Sequence, residues 1–375
     1  MAVILFGVNA LFDVHPRKWF AHRWWLLGTL WVIMYFISGF WSNDIDYWMT
    51  RCEVKLPILL LPLAFAFISP FSYTQRKIIT LTLNTVVFAG MIYSLSFLFI
   101  NPEFYIHRYN FSNVLPTLPK GDHIVFSLTM ALTVVWNIQF HKSINELWLK
   151  RLNIMLICLF IAMIHVLSVR TGLVALYLFV FAWSVYLLFQ KKTRIAGLAL
   201  LLLLSAGAWI ALNYVPTIRN RLAHTNYTFQ IFRQGVMSGD YSDIGRYMSY
   251  DVALRLIKER PLMGVGAGDM LDSMKGGYDR WYPHVPDEQR LIPHNQYLTV
   301  ALGMGLPCLL VFIAWSVYPL FTIRKNRNGF FLFVTWAMMM VPLMFEPFLE
   351  IQFGVFVYLF FMLWQQQSVL PHESD

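Results

Sequence analysis

The sequence predicts an all-α polytopic membrane protein with about ten transmembrane helices. Of its 375 residues, 58% are hydrophobic and 13% are charged, against roughly 25% charged in soluble proteins. The mean hydropathy is +0.55, and the apolar residues gather into runs of about twenty, the length that a helix needs to cross about 30 Å of hydrocarbon. One segment, residues 215–293, interrupts this pattern with ten Lys/Arg and nine Asp/Glu.

Each apolar run is a candidate membrane span. The ten runs cover residues 24–41, 54–72, 78–100, 121–140, 152–169, 172–189, 195–214, 294–318, 329–345 and 347–364. Residues 1–12 are apolar but too short to span alone, and the residues after them lack the small-residue site of a cleaved signal, so we expect a half-helix or truncated span there. No internal repeat or low-complexity linker is visible, so residues 1–375 are expected to form a single membrane domain.

The basic residues of the short loops predict the orientation of the chain. If alternate loops are cytoplasmic, starting with residues 13–23, fourteen Lys and Arg lie on that side and five on the other. The long segment 215–293 is then on the outer face, and both ends of the ten-span bundle are cytoplasmic. Topology explains half of the basic residues, so the net charge of +9 requires no nucleic-acid partner. The three cysteines are scattered and have neither disulfide nor metal spacing.

The polar segment is expected to contain a helix over residues 242–261. Asp243 is placed to cap its start, and Pro261 ends it. Helical spacing puts three residues on one side and an i,i+4 ion pair on another. The three residues are Arg246, Tyr250 and Ala253, and the pair is Asp251 and Arg255.

His294 lies where the polar segment returns to the bilayer. Pro293, an expected helix start, precedes it, and Asn295 and Gln296 follow. A histidine held partly dry at such a boundary can take a proton from a hydroxyl near neutral pH. The alternative is an interfacial polar residue that hydrogen-bonds a helix N-terminus, and position alone leaves both open.

Two arginines are candidates for binding an anion. Arg170 lies in LSVRTG, the tight outer connection between two spans, where an arginine close to hydrocarbon usually has a partner. It either snorkels from a helix end or presents a fixed fork to a phosphate or pyrophosphate. Arg246 lies on the predicted loop helix, in a basic segment followed by a glycine turn. Solvated helix surface is the alternative for Arg246 and for the basic residues near it.

The remaining polar motifs favour structural roles. Residues 264–269, GVGAGD, lack the preceding strand and the spacing of a nucleotide-binding loop, so they predict a sharp turn that lets backbone approach closely. The acidic residues of the segment have no metal-ligand spacing, and we expect neither a metal nor a cofactor. Glu346 and Glu350 are either counter-charges for a buried arginine or simple interfacial polar groups, and we favour the second interpretation.

In this order, the motifs resemble the O-antigen ligase and O-antigen polymerase family. They are the arginine in LSVRTG, the Arg-bearing helix that ends in ERPLMGVGAGD, and PHNQYLTVALGMGLPCLL at the start of the next span. The resemblance covers a core of about 120–320, and the large outer loop of 215–293 fits it. One position departs from the family: Val169 stands where a serine often precedes the first arginine.

The resemblance implies a GT-C-type membrane glycosyltransferase of the bacterial inner membrane, with the large loop in the periplasm. Its donor would be an undecaprenyl-pyrophosphate-linked glycan, and its acceptor lipid A-core or a lipid-linked glycan. Arg170 and Arg246 would bind the pyrophosphate, and His294 would act on the acceptor hydroxyl. Asn295, Tyr250 and Arg255 are secondary candidates. Transfer would be metal-independent, with inversion at the anomeric carbon.

Three interpretations of the function stay open at this point. The first is a glycosyltransferase, and the sequence does not separate a ligase, whose acceptor is lipid A-core, from a polymerase, whose acceptor is another lipid-linked repeat. A transporter of ten spans is the alternative of another class, although the spans have few of the mid-membrane ionisable residues that transporters show. An inactive family member or partner subunit is the third.

Overall fold

A computed structural model describes residues 23–67, 71–110, 114–119, 121–214, 230, 242–323 and 326–369. The expected half-helix at residues 1–12, the basic residues Arg219, Arg221 and Arg233, and the side chain of Asp243 lie outside this description. In the described ranges the chain is helical, and no strand occurs among them. The predicted all-α class is therefore confirmed.

Thirteen α-helices lie in the described part of the chain. They are α1 (Arg23–Ile37), α2 (Ile45–Phe67), α3 (Tyr73–Ile100), α4 (Pro102–Asn110), α5 (His123–His141), α6 (Leu147–Leu167), α7 (Arg170–Leu188), α8 (Arg194–Tyr214), α9 (Ser242–Glu259), α10 (Met270–Trp281), α11 (Gln296–Val317), α12 (Arg327–Phe345) and α13 (Gln352–Val369). Short 3-10 helices follow α1, α10, α11 and α12, at Ser38–Trp41, Asp287–Gln289, Tyr318–Thr322 and Phe348–Glu350.

Helices occupy all ten places where a span was expected, and seven of those described are long and apolar enough to cross a membrane. The seven are 23–41, 73–100, 123–141, 147–167, 170–188, 296–322 and 327–345. The other three are α2, which contains four charged residues, α8, whose apolar part is described over Arg194–Ile210, and α13, which ends near three consecutive glutamines. The protein is thus a multi-pass helical membrane protein, and the number ten stays a prediction.

The bundle is built around α5, which is buried along most of its length between α3, α6, α7 and α12. On one side α1 packs between α2 and α11, where Trp24 stacks on Trp315 with ring centroids 5.4 Å apart. On the other side α7 packs between α8 and α12. Because bulky aromatic and aliphatic side chains interdigitate at these contacts, the helix ends that bear the polar residues are held in fixed relative positions.

The polar segment folds onto the start of α11. Helices α9 and α10 share a buried apolar core that includes Ile244, Met248 and Tyr278, and this core continues into Ala301 and Leu302 of α11. The predicted loop helix is confirmed, since α9 ends at Glu259, just before Pro261. The predicted ion pair is also present, with Arg255 Nε 2.8 Å from Asp251 Oδ2.

The glycine turn fastens this helix pair to the bundle. Gly264 and Gly266 have φ of +69° and +100°, and the adjacent amides of Val265 and Gly266 donate to the carbonyls of Leu302 and Gly303 at 2.8 and 2.9 Å. A Cβ at Gly264 would lie 2.5 Å from the Leu302 carbonyl oxygen. The predicted close approach of backbone is confirmed, because only glycine combines this φ with this contact.

Candidate active site

Glu346 joins the two best candidates of the sequence. Its Oε1 lies 2.6 Å from Arg246 Nη2, and its Oε2 lies 2.7 Å from His294 Nδ1. The three side chains are partly buried, with exposed fractions of 29% for Arg246, 22% for His294 and 12% for Glu346. A charge-assisted cluster therefore forms where the polar segment meets α11 and α12. We call Arg246, His294 and Glu346 the triad cluster.

Asn295 and Tyr250 hold His294 in place. Asn295 is the N-cap of α11, since its side-chain oxygen accepts from the Leu298 amide at 3.0 Å, and its Nδ2 donates to the Met344 carbonyl at 2.9 Å. Tyr250 donates its hydroxyl to the His294 carbonyl at 2.6 Å. Burial raises the pKa of Tyr250 above its usual range although the nearby Arg246 acts in the opposite direction, so the phenol keeps the proton that it donates.

The start of α11 corrects one detail of the prediction. The helix begins at Gln296, and Pro293 is not its first residue. Asn295, with φ −159° and ψ 121°, is the extended N-cap residue ahead of the helix, where a polar side chain can bond an N-terminal amide. His294 is freed from that capping role because Asn295 fills it.

The structure also corrects the role expected for Glu346 and Glu350. The favoured interpretation of Glu346 and Glu350 as simple interfacial polar groups is wrong, because both are counter-charges. Glu346 leaves α12 in an extended conformation, with φ −148° and ψ 152°, and its amide donates to the Pro342 carbonyl at 2.8 Å. This geometry turns the carboxylate towards the polar segment, where a cation and an imidazole N–H can neutralise it at low exposure.

Glu350 forms a second, deeper layer beneath the triad cluster. Its Oε1 lies 2.9 Å from Lys55 Nζ and accepts from Tyr35 Oη at 2.9 Å and Gln296 Nε2 at 2.7 Å. Lys55 is fully buried, and Gln296 Oε1 accepts from the Leu349 amide at 2.7 Å. Since Gln296 and Glu350 follow His294 and Glu346 closely in the chain, this layer fixes the two backbone segments that present the triad cluster.

Sequence reasoning missed Lys55 and Gln296. The available signal for Lys55 was a lysine inside an apolar run, which is costly in a membrane unless it is paired. The pairing itself joins residues 295 positions apart, so no local pattern reveals the partner. Gln296 was noted as a neighbour of His294, without a role.

Arg170 lies at the same end of the bundle as the triad cluster. It is exposed and begins α7, whose far end packs against the start of α12, with the Trp183 ring 5.4 and 5.6 Å from the Phe330 and Phe331 rings. The two helices are therefore antiparallel, so the first residue of α7 lies on the side where α12 ends. Arg255 has a different environment: it pairs with Asp251 and lies over the Trp281 ring at 5.3 Å.

The triad cluster is arranged for proton transfer next to a cation. An ionised Glu346 accepts from Nδ1, so a neutral His294 carries its proton there and presents the Nε2 lone pair; the tautomer is inferred from the hydrogen bond. The guanidinium of Arg246 has donors beyond the one bound to Glu346, which an anion can accept from. Among the described residues, no group of three or more His, Cys, Asp or Glu is arranged to hold a metal ion.

A comparison with protein families finds a match for the part of the chain that contains most of this site. Residues 154–313 match the family model described as O-antigen ligase, a range that includes Arg170, Arg246 and His294. No curated protein matches the chain. Together with the apolar helices, the family match indicates a multi-pass protein of the bacterial inner membrane and a glycosyltransferase-like enzyme. The match over residues 154–313, somewhat less than half of the chain, supports the resemblance of this part to the O-antigen ligase and polymerase family.

Proposed function

We propose that this protein transfers a glycan from an undecaprenyl-pyrophosphate donor to an acceptor hydroxyl at the periplasmic face, as an O-antigen ligase that acts on lipid A-core. One observation carries the proposal: Glu346 holds Arg246 and His294 in a single cluster within 2.7 Å of its carboxylate oxygens. Such a cluster supplies a base and a cation side by side. The family match supports the general class of reaction.

In the proposed reaction, His294 Nε2 takes the proton of the acceptor hydroxyl as its oxygen attacks the anomeric carbon. The bond from that carbon to the pyrophosphate oxygen breaks, and undecaprenyl pyrophosphate leaves with the bonding electron pair. Attack opposite the leaving group inverts the anomeric configuration. Glu346 stabilises the imidazolium that forms on His294, as a carboxylate does in a hydrolase triad.

Arg246 and Arg170 are proposed to bind the pyrophosphate. Two guanidinium groups offset the negative charge that grows on the leaving group, and this stabilisation is largest when the donors are already oriented. The link between Arg246 and Glu346 orients Arg246 before the donor arrives. In this scheme the arginines supply the positive charge, and the transfer is proposed to need no metal ion.

Polymerase activity is the alternative within the family, because the family match does not distinguish the two acceptors. Both reactions use the same donor chemistry, and they differ in what presents the hydroxyl. A lipid A-core acceptor would reach the site from the membrane surface, as would a second lipid-linked repeat. An experiment on the glycan products therefore has to distinguish a ligase from a polymerase.

Alanine substitution in the host bacterium tests the proposal. His294→Ala and Arg246→Ala should each abolish long glycan on lipopolysaccharide, seen by gel electrophoresis, at normal protein levels. Lys258→Ala is the matched control, since Lys258 is an exposed cation on the same helix. Long glycan retained on the lipid donor identifies a ligase, whereas lipopolysaccharide bearing a single repeat identifies a polymerase. Normal glycan in both variants contradicts the assigned chemistry.

A further inference from the structure

A cavity lies at the end of the bundle opposite the triad cluster. It has a volume of about 130 Å³ and is lined by Arg76 at the start of α3, Arg327 at the start of α12, and Trp136 and Trp364 from α5 and α13. Helix α12 runs from this cavity to Glu346, and its 19 residues correspond to about 28 Å at 1.5 Å per residue. The cavity therefore has no part in the chemistry proposed above.

Both guanidinium groups of the cavity lack a counter-charge in the described part of the chain. Neither Arg76 nor Arg327 forms an ion pair with a carboxylate of the described residues. Glu146 accepts from Lys77 and Tyr73, each at 2.5 Å, and is thereby occupied. Two cations therefore share a small cavity with nothing in these ranges to neutralise them.

The hydrogen-bond donors of the two arginines are only partly used. Arg76 Nε donates to the Phe71 carbonyl at 3.0 Å, and Arg327 Nη2 makes a long contact of 3.5 Å with the Ile138 carbonyl. Arg327 Nε is buried without a hydrogen-bond partner. A buried donor without a partner costs about 1–3 kcal/mol, and an acceptor oxygen of a bound anion would remove that cost.

The wall of the cavity is aromatic. The rings of Trp136 and Trp364 stack with centroids 4.0 Å apart, and Phe71 stacks on Trp364 at 5.2 Å. Tryptophan is typical of the level where lipid head groups meet the hydrocarbon. A ligand held here meets two guanidinium groups and an apolar wall, which fits a molecule with a phosphate head and an apolar body.

We propose that this cavity binds the phosphate diester of an anionic phospholipid. Arginine forks match phosphate oxygens bidentately, and basic pockets between transmembrane helices on the cytoplasmic side are suited to anionic head groups. The excess of basic residues in the short loops at this end predicts that it faces the cytoplasm. The excess of basic residues in cytoplasmic loops is enough to explain why arginines occur here. The cavity, the unpartnered Arg327 Nε and the missing counter-charge are the observations that indicate an anion-binding site.

The test measures lipid binding by the purified full-length protein in zwitterionic detergent. Phosphatidylglycerol, phosphatidylcholine and inorganic phosphate are added separately, and the Tm and the bound lipid are followed by thermal unfolding and native mass spectrometry. We expect phosphatidylglycerol to raise the Tm and to remain bound, and the other two to do neither. A rise with inorganic phosphate alone would assign the cavity to a free oxyanion and overturn the lipid assignment.

Arginine variants assign the binding to this cavity. Arg327→Gln and Arg76→Gln should each weaken phosphatidylglycerol binding on the order of tenfold, while Arg327→Lys retains part of it. Arg151→Gln is the matched control, an exposed arginine near the start of α6 at the same end. The Tm in phosphatidylcholine shows which variants fold. The proposal fails if folded Arg327→Gln or Arg76→Gln binds phosphatidylglycerol like the unsubstituted protein, or if Arg151→Gln loses the same binding.

Discussion

At the scale of single residues, Glu346 determines how Arg246 and His294 face each other. One carboxylate oxygen bonds each side chain, so a change at Glu346 reaches both partners. The backbone around His294 is held independently of Glu346, by the Tyr250 hydroxyl on the His294 carbonyl and by Asn295 Nδ2 on the Met344 carbonyl. Glu346 is therefore a positioning residue in the proposed reaction.

Glu346→Gln should slow glycan transfer by about 100-fold or more, because an amide is a weaker acceptor and can select the wrong tautomer of His294. If Glu346 acts through His294, adding Glu346→Gln to His294→Ala should slow transfer little further. Transfer by purified protein in vitro measures both. Glu288→Gln, an exposed loop carboxylate, is the control. Unchanged turnover in Glu346→Gln would remove Glu346 from the account.

Lys55→Met should destabilise the protein by about 3 kcal/mol, because it removes the nearer cation of the buried Glu350 carboxylate and leaves only Arg51, whose Nη1 is 3.8 Å from Oε2. Adding Glu350→Gln removes the buried charge and keeps an oxygen acceptor, so it should recover part of the loss. Thermal unfolding in detergent compares these variants with Lys275→Met, whose side chain is 61% exposed. Equal unfolding temperatures for Lys55→Met and Lys275→Met would show that the buried pair contributes nothing.

At the scale of elements, the glycine turn connects the loop helices to α11. The turn bonds Leu302 and Gly303 on one side, and on the other Asp269 accepts from the amides of Asn43 and Asp44 at 2.8 and 3.0 Å. Helix α9 is thereby fixed between two parts of the bundle. This attachment brings Arg246 to Glu346, although 100 residues separate them in the chain.

Gly264→Ala should loosen this attachment, since alanine is strained at φ +69° and its Cβ would meet the Leu302 carbonyl oxygen at 2.5 Å. Hydrogen exchange should then rise across α9 and α10. Gly276→Ala is the matched control: a Cβ there meets nothing within 4 Å, and alanine favours the interior of α10. Unchanged exchange in Gly264→Ala would mean that the turn does not hold the loop helices.

The sequence predicts features that depend on nearby residues, and it does not predict contacts that depend on helix packing. Helix α9, the glycine turn and the boundary position of His294 were predicted because each depends on neighbours within a few residues. The link from Glu346 to both Arg246 and His294 was not, since it depends on how α9, α11 and α12 pack. The same holds for Lys55 and Glu350. The sequence shows that a lysine lies in an apolar run, where it is costly, but only the fold shows that Glu350 is its partner.

At the scale of the whole molecule, the proposed reaction requires that the two ends of the bundle face different compartments. The triad cluster and Arg170 lie at one end, and the cavity of Arg76 and Arg327 lies at the other. The distribution of basic residues in the short loops predicts that the first end is periplasmic. A donor presented at the outer face then reaches the arginines directly.

Single cysteines test this orientation in a variant without native cysteines. Arg280→Cys, in α10, should react with a membrane-impermeant maleimide added outside the inner membrane. Lys191→Cys, between α7 and α8, should react only after the membrane is opened. Both side chains are exposed, so access to the reagent depends on the side of the membrane. Labelling of Lys191→Cys in sealed cells would reverse the predicted topology.

In the proposed reaction, one site formed by Arg170 and the triad cluster holds the pyrophosphate beside the base. A structure of the full-length protein with undecaprenyl pyrophosphate bound, determined by electron cryomicroscopy, tests it most directly. We expect both guanidinium groups to lie within hydrogen-bond distance of the pyrophosphate oxygens, with His294 Nε2 facing the side from which an acceptor attacks. A pyrophosphate bound away from Arg246, or an Arg170 that does not reach it, would rule out a shared site.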